Sequence, residues 1–495
     1  MEKQERQDNY THILKTTGLF GGVQVITILI SIVRTKLVAV LLGPQGMGLM
    51  SLFNSTTKVL GDSTGFGIPM SGVREISDAY ENGDEEKVRC SAGVVRTWCF
   101  ITALLGMVLC LVLSPLLNRW VFTWGDHTLH FILLAPVVGM TAITGGELAI
   151  LKGLRQLRHL AAISVYNVFL TLILTVPLFY YFHEAAIVPS LILVAFTQMI
   201  VTIASSYKIC PPRLSFSKIT ILRGVDMVKL GIAFVIAGII NSGTDFAIRS
   251  FFNVHADLAV VGLFSAAYTV IMVYGSMVFS AMETDYFPRL SAVKGIGEKL
   301  NDTVNKQIEV TLLLISPMLV ALIVSLPVLV PLLYSSKFLP IIPLLQVGIL
   351  ALYLRAVKLP IAYISLSKGD SLTFLIIESI ACISMLVFVV LGYLCNGLRG
   401  SGWGLLTASA VEFVVLLVYA RCKYRYTFSN QVLRYIVMIY PLGILAFLNT
   451  YNDSILNYWI SGIALFVVSL AISLNILRSK TNLWNTLKKK LLRRE

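Results

Sequence analysis

Residues 33–74 read VRTKLVAVLLGPQGMGLMSLFNSTTKVLGDSTGFGIPMSGVR. The stretch is apolar enough to enter a lipid bilayer, yet it carries Arg34, Lys36, Lys58 and Asp62. A charge at bilayer depth costs about 2.5–3.5 kcal/mol on insertion scales, so such residues persist where they face a polar cavity or a partner, or snorkel to an interface. Two readings are open here. Arg34 and Lys36 reach the headgroups, or they line a cationic lumen for an anionic substrate. A weaker copy of the pattern lies about 215 residues further on.

Working outward, the 495-residue chain is 56% hydrophobic and 13% charged, whereas soluble domains carry about 25% charged residues. A water-soluble core is excluded. The net charge of +14 would suit nucleic acid. However, the basic residues cluster in short loops between apolar segments, the positive-inside pattern of a polytopic membrane protein. Nucleic acid is therefore not an expected partner; the lipid bilayer is. The seven cysteines form no C-x-x-C pair and fall mostly in apolar segments, as buried free thiols do. The N-terminal MEKQERQDNYTHILK mixes both charge signs. No short apolar run with a small-residue cleavage site follows it, so it reads as a cytoplasmic tail.

A spanning helix needs about 20 mostly apolar residues. About fourteen candidates run near 13–42, 46–69, 93–116, 131–151, 160–182, 186–206, 228–249, 258–281, 308–334, 341–366, 372–395, 402–421, 435–449 and 455–477. The first is expected to tilt or break near Gly21-Gly22. The second, with Asn54, Lys58, Asp62 and several glycines, is a poor lipid-facing helix and a plausible lumen-facing one. Segments 71–90 and 289–306 have amphipathic spacing with dense charge and read as interfacial helices. Glycines 400, 402 and 404 read as a turn. With the N-terminus inside, the inner segments hold 30 Lys and Arg and the outer turns 6, which puts both termini in the cytoplasm.

A shift of 214 to 216 residues aligns Lys15 with Lys229, Arg34 with Arg249, Gly48-Leu49 with Gly262-Leu263, and Lys152-Gly153 with Lys368-Gly369. Such a duplication implies two parallel six-helix halves related by an axis along the membrane normal. The expected fold class is an all-α polytopic membrane protein, with bundles at 1–206 and 228–425. A linker at 207–227 joins them, and 426–495 adds two helices and a basic tail.

Enzyme signatures are missing. There is no G-x-x-x-x-G-K-[ST] loop for ATP and no H-E-x-x-H. Of the histidines, only His127 and His130 lie close together, beside Asp126, and no metal or cofactor is expected. The intramembrane charges remain. Lys58 and Asp62 are four residues apart, as are Asp245 and Arg249, so each pair shares a helical face and can neutralise itself. Arg355 and Lys358 also share a face, with no close acidic neighbour in sequence, which favours a phosphate-like partner. A guanidinium binds phosphate through a bidentate fork, and lysine acts as a point charge. The substrate-binding candidates are Arg34, Lys58, Arg249, Arg355 and Lys358. Those for ion coupling or pairing are Asp62, Asp245, Glu147 and Glu378, with Glu412 a further intramembrane acid.

The stretch from Lys36 through EIS at 75–77 resembles the helix 1–2 region of the Wzx-type polysaccharide-repeat-unit flippases. These belong to the multidrug/oligosaccharidyl-lipid/polysaccharide exporter superfamily. YFPRLSAV at 286–293, LYSSKF at 333–338, LRAVKLPIAYISLSKGDSLTFLIIE at 354–378 and LRGSGWGLLTASAVEF at 398–413 continue the resemblance. It covers roughly residues 10–425, and the nearest pattern is the enterobacterial common antigen type. The resemblance implies that an undecaprenyl-diphosphate-linked glycan is moved between leaflets of a bacterial inner membrane by alternating access. A polymerase and a chain-length regulator are implied as possible partners. It also implies that Arg34 matches a cavity arginine of the related lipid II flippases. Lys58 loosely matches their basic helix 2 position, and Lys358 matches a lysine of the common antigen type. The chain departs from that type by its last two helices. A cation-coupled multidrug exporter of the same superfamily, carried by Asp62 and Asp245, and a non-transporting scaffold or membrane polymerase stay open beside it.

Overall fold

The computed structural model describes residues 2–122, 125–212, 216–274, 279, 286–293 and 295–480. The end of the eighth expected span and the basic tail 481–495 lie outside the described residues. Among those described, the regular elements are helical. They are α1 (Glu2–Thr64), α2 (Ile68–Glu81), α3 (Glu85–Val121), α4 (Thr128–Gly153), α5 (Leu157–Phe182), α6 (Ile187–Ile209), α7 (Lys218–His255) and α8 (Leu258–Thr269). Then follow α9 (Glu298–Leu333), α10 (Ile342–Gly348), α11 (Leu350–Ser367), α12 (Ser371–Tyr424), α13 (Asn430–Asn449) and α14 (Ile455–Lys480).

Two of these helices are really hairpins. A straight α1 of 63 residues would measure about 95 Å, against a hydrocarbon layer of about 30 Å. It is interrupted at Gly43, whose φ of 65° and ψ of −171° only glycine adopts readily. Pro44 excludes the helical conformation for the residue before it and suits the first turn of the next helix. The chain folds back there, since Ser31 and Arg34 line the same cavity as Met50 and Asn54. The backbone stays helical through Gly21-Gly22, so the expected break there does not occur.

In α12 the reversal falls at Asn396 and Gly397. A Cβ on Gly392 would sit 2.2 Å from the Gly400 carbonyl oxygen, and one on Gly404 2.2 Å from that of Phe388. Gly400 and Gly404 thus seal two antiparallel limbs. The reading of 400–404 as the turn is corrected, because these glycines serve backbone contact inside a helix.

Nine stretches among the described residues are long and apolar enough to cross a membrane. Three of them, Ile26–Thr64, Leu157–Ile209 and Leu372–Tyr424, run to 39, 53 and 53 residues, room for two crossings each. Counting those three twice and adding α7 and α8 gives the expected fourteen.

The helices group into two compact units, Met1–Gly262 with Leu332–Lys337, and Leu263–Pro331 with Phe338–Glu495. In the first, α7 packs against α1, α2 and α3. Segment 71–90 is not one interfacial helix. It splits at Gly83 (φ 71°), and the remainder opens α3. The α2 face formed by Ile68, Ile76 and Ala79 is buried against Val95, Ile150, Leu154 and Met227, and Ser71 Oγ donates to the Met227 carbonyl at 2.8 Å. Segment 289–306 divides likewise, with Glu298–Lys306 forming the first turns of α9.

Gly48 and Gly262, which the sequence offset pairs, meet directly. A Cβ on Gly48 would lie 2.0 Å from the Leu258 carbonyl oxygen, and one on Gly262 1.9 Å from that of Pro44. Small residues let membrane helices approach this closely and gain packing in the absence of a hydrophobic driving force. Gly48→Ala must push the backbones apart, an overpacking cost of about 1–3 kcal/mol. Its melting temperature in detergent is expected to fall. Gly61→Ala, where nothing lies within 4 Å, is expected to keep or slightly raise it.

In the second unit, α13 and α14 are tied in by buried polar groups. Ser316 Oγ and Ser469 Oγ are 2.9 Å apart. Tyr440 OH donates to the Tyr353 carbonyl at 3.0 Å, and Tyr458 OH to that of Val324 at 2.8 Å. The α11–α12 loop is held by Asp370, which accepts from Thr373 Oγ1 at 2.6 Å and Tyr424 OH at 2.8 Å, and pairs with Lys423. Partial burial pushes this carboxyl up, but the hydrogen bonds from Lys423, Thr373 and Tyr424 outweigh it and hold it well below the ordinary carboxylate range.

Candidate functional site

Arg34 lies nine residues before the Gly43 reversal, about 13 Å along the helix axis. It therefore belongs to the body of the first limb, not to the turn. Its guanidinium Nε donates to Thr175 Oγ1 at 3.5 Å. Along α5, Thr175 Oγ1 donates to the Thr171 carbonyl at 2.7 Å, and Thr171 Oγ1 to that of Asn167 at 2.6 Å. Each hydroxyl spends its proton on the turn before it and keeps lone pairs to accept from elsewhere. Thr175 thus orients Arg34 without carrying a charge.

The space in front of Arg34 is a cavity of about 320 Å³. That is about ten water volumes and the lower end of the size range of small-molecule sites. Both limbs of α1 line it, together with Thr141 of α4, Asn167 and Thr171 of α5, and Ser190 and Gln198 of α6. Arg34 is the one charged side chain among the lining residues; the polar others are hydroxyls and carboxamides. Among the described residues no carboxylate pairs with it. A cation in an uncharged polar chamber suits an anion, because attraction is strong where the local dielectric is low.

The other candidates sit elsewhere. Lys58 is exposed, and Asp62 lies within hydrogen-bonding reach of Ser242 on α7. Arg249 donates from Nε to Ser51 Oγ at 2.7 Å and from an Nη to the Asp245 carbonyl at 3.0 Å, and it forms an ion pair with the Asp245 carboxylate. None of these lines the Arg34 cavity.

In the second unit, Arg355 directs an Nη toward Met272 Sδ at 3.3 Å and lies 5.3 Å from the Phe279 ring centroid, with no carboxylate paired among the described residues. Lys358 does have an acidic partner. Glu412, 54 residues later on the returning limb of α12, forms an ion pair with it, and Glu378 adds its field. The lack of a close acidic neighbour in sequence therefore does not leave Lys358 without one in the fold.

Glu147 is fully engaged. Arg96 grips it with two bonds, Nε to Oε1 at 2.8 Å and Nη2 to Oε2 at 3.0 Å. The same guanidinium donates to the carbonyls of Pro211 and Cys210, each at 2.9 Å, and lies 4.8 Å from the Tyr207 ring centroid. Both side chains are buried, so the pair fastens the end of α6 to α3 and α4.

Asn54 apart, the uncharged lining does not stand out in the charge pattern of the sequence. A signal was there: Asn167, Thr171 and Thr175 recur every fourth residue in the otherwise apolar run 167–179, and Ser190 and Gln198 lie two such steps apart. That spacing places each set on one helical face.

Among solved structures, the lipid II flippase MurJ in an inward closed conformation is similar at a TM-score of 0.70 and 14% identity, over 93% of this chain and 99% of its own. An inward-facing multidrug resistance MATE family transporter of the MOP superfamily is similar at 0.65 and 17%, over 81% and 94%. A MOP superfamily transporter from Pyrococcus furiosus is similar at 0.59 and 13%, over 83% and 96%. At 93% coverage the first likeness must extend into the last two helices, and it concerns the fold. No match is found among curated proteins. A family model described as polysaccharide biosynthesis protein matches residues 37–343, well over half the chain. The protein therefore belongs to the polysaccharide biosynthesis protein family and is built on the fold of the MOP-superfamily transporters.

Proposed function

We propose that the protein is a flippase, not an enzyme. On this reading it carries an undecaprenyl-diphosphate-linked oligosaccharide from the cytoplasmic to the outer leaflet of a bacterial inner membrane. The observation that carries this is Arg34, an unpaired cation held in a chamber otherwise lined by neutral polar groups. A diphosphate supplies the missing negative charge, and the glycan supplies hydroxyls for the walls. Family membership supports the substrate class. Both termini lie in the cytoplasm on this reading, as the excess of inner Lys and Arg requires. The two six-helix halves, 1–206 and 228–425, alternate access. Arg355 provides a second anion contact. Lys58 is exposed and contributes as it stands, Arg249 and Lys358 contribute only as Asp245 and Glu412 release them, and Asp62 and Glu378, with Asp245 once so released, are the groups for ion coupling. A polymerase and a chain-length regulator are the partners that would consume the product.

A cation-coupled drug exporter would need an acidic group free to exchange a cation for substrate. Of the two acids that would carry it, Asp245 is held by Arg249, which weighs against it, while Asp62, within reach of Ser242, is the group on which it would have to rest. Deleting the gene tests the proposal directly. Lipid-linked glycan should build up on the cytoplasmic face while its outer pool empties. An unchanged distribution between the leaflets would remove the flippase reading.

A further inference from the structure

Three carboxamides from three helical segments converge on the Arg34 chamber: Asn54 on the second limb of α1, Asn167 on α5 and Gln198 on α6. Asn167 is the telling one. Its Oδ1 is buried and has no hydrogen-bond partner among the described residues. A buried acceptor left open is costly and rare, and each case calls for an explanation. Its own backbone carbonyl already serves Thr171. The unfilled capacity is therefore in the side chain of a residue that lines the chamber with Arg34, and because this oxygen is itself closed to solvent, a turn of the amide about its side-chain bonds brings it to a ligand there.

We propose that these carboxamides form a glycan subsite that reads the hydroxyls of the sugar next to the diphosphate. The proposal rests on the flippase reading above, and it assigns the division of labour within the site. A carboxamide offers an acceptor and two donors side by side. A vicinal diol offers the same in return, so amide and sugar can exchange two hydrogen bonds without charge. The hydroxyls of Thr171 and Ser190 reinforce this, since their protons go to the Asn167 and Ile187 carbonyls and leave acceptors behind. A wall rich in acceptors with one guanidinium at its edge fits a donor-rich ligand bearing one anionic group. The chamber holds a single cation and about 320 Å³, so the sugar it reads is uncharged. An acidic residue there would meet no second positive group. Specificity arises because a site built to bond a hydroxyl rejects an analogue lacking it, leaving its own polar groups unpaired.

The test measures a ratio of affinities on the purified full-length protein in nanodiscs. The probes are farnesyl diphosphate and farnesyl diphosphate carrying one N-acetylglucosamine. Native protein is expected to bind the sugar-bearing probe at least tenfold more tightly. Asn167→Leu and Gln198→Met, close in size and lacking the bonds, are each expected to reduce that ratio three- to tenfold. Arg34→Ala is expected to weaken both probes together and leave the ratio standing. A native ratio near one, or an unchanged ratio in both carboxamide variants, overturns the subsite while leaving the flippase reading intact. Failure of native protein to bind either probe overturns both.

Discussion

Arg34→Ala is expected to abolish glycan translocation while the protein still accumulates in the membrane at its normal level. The two halves of that result come from the same geometry. Arg34 is the one charged group lining its chamber, and among the described residues its hydrogen bond is a long 3.5 Å contact to Thr175. Among the described residues, removing it strands no carboxylate and breaks no ion pair, so the fold loses little. A bound diphosphate loses its fork. Hydrogen bonds to a charged partner are each worth about 1.5–3 kcal/mol, so losing two costs about two to four powers of ten in affinity. No neighbouring lining residue can replace them, because the hydroxyls and amides there are neutral. Arg34→Lys keeps the point charge without the fork and should retain a fraction of activity. Complementation of a deletion strain, scored alongside membrane abundance, checks both halves. Full complementation by Arg34→Ala would dissolve the argument.

The second large effect is on stability. Arg96→Ala and Glu147→Ala should each sharply lower abundance and melting temperature. Either change leaves an opposite charge buried without a partner, a loss of about 3–5 kcal/mol where total stability is about 5–15 kcal/mol. Arg96→Ala also frees the carbonyls of Cys210 and Pro211, so it should be the worse of the two. A buried pair replaced by apolar residues of similar size is often neutral. The double change Arg96→Met with Glu147→Met is therefore expected to be milder than either single alanine. Single variants that accumulate and melt like the native protein would show that the pair does not fasten the end of α6.

Much of the architecture was legible because it follows from lengths. The fourteen crossings come from counting apolar residues against a fixed bilayer thickness, and the reversal at Gly43 stands in the sequence as a Gly-Pro step. What was illegible depends on which helices pack together. Arg96 and Glu147 are 51 residues apart, and Lys358 and Glu412 are 54 apart. Nothing local announces either pair, so Lys358 read as lacking a partner. The split of 71–90 turned on Gly83 adopting a left-handed conformation, in a segment whose helical spacing runs on either side of it. Charges drew attention to Arg34, and of the neutral residues around it only Asn54, beside Lys58 and Asp62, stood out, because hydroxyls and amides scarcely disturb a hydropathy profile.

The bonding of α13 and α14 into the second unit bears on chimeras. The Ser316–Ser469 contact and the Tyr440 and Tyr458 hydroxyls are shared between the terminal pair and α9 or α11. A graft that swapped in the equivalent of α9 or α11 from a shorter homologue would have to bring its backbone carbonyls to the same depth for Tyr440 and Tyr458, and a homologue without a hydroxyl at Ser316 would leave Ser469 without that contact. The transferable cassette is thus the terminal hairpin together with the two helices it leans on.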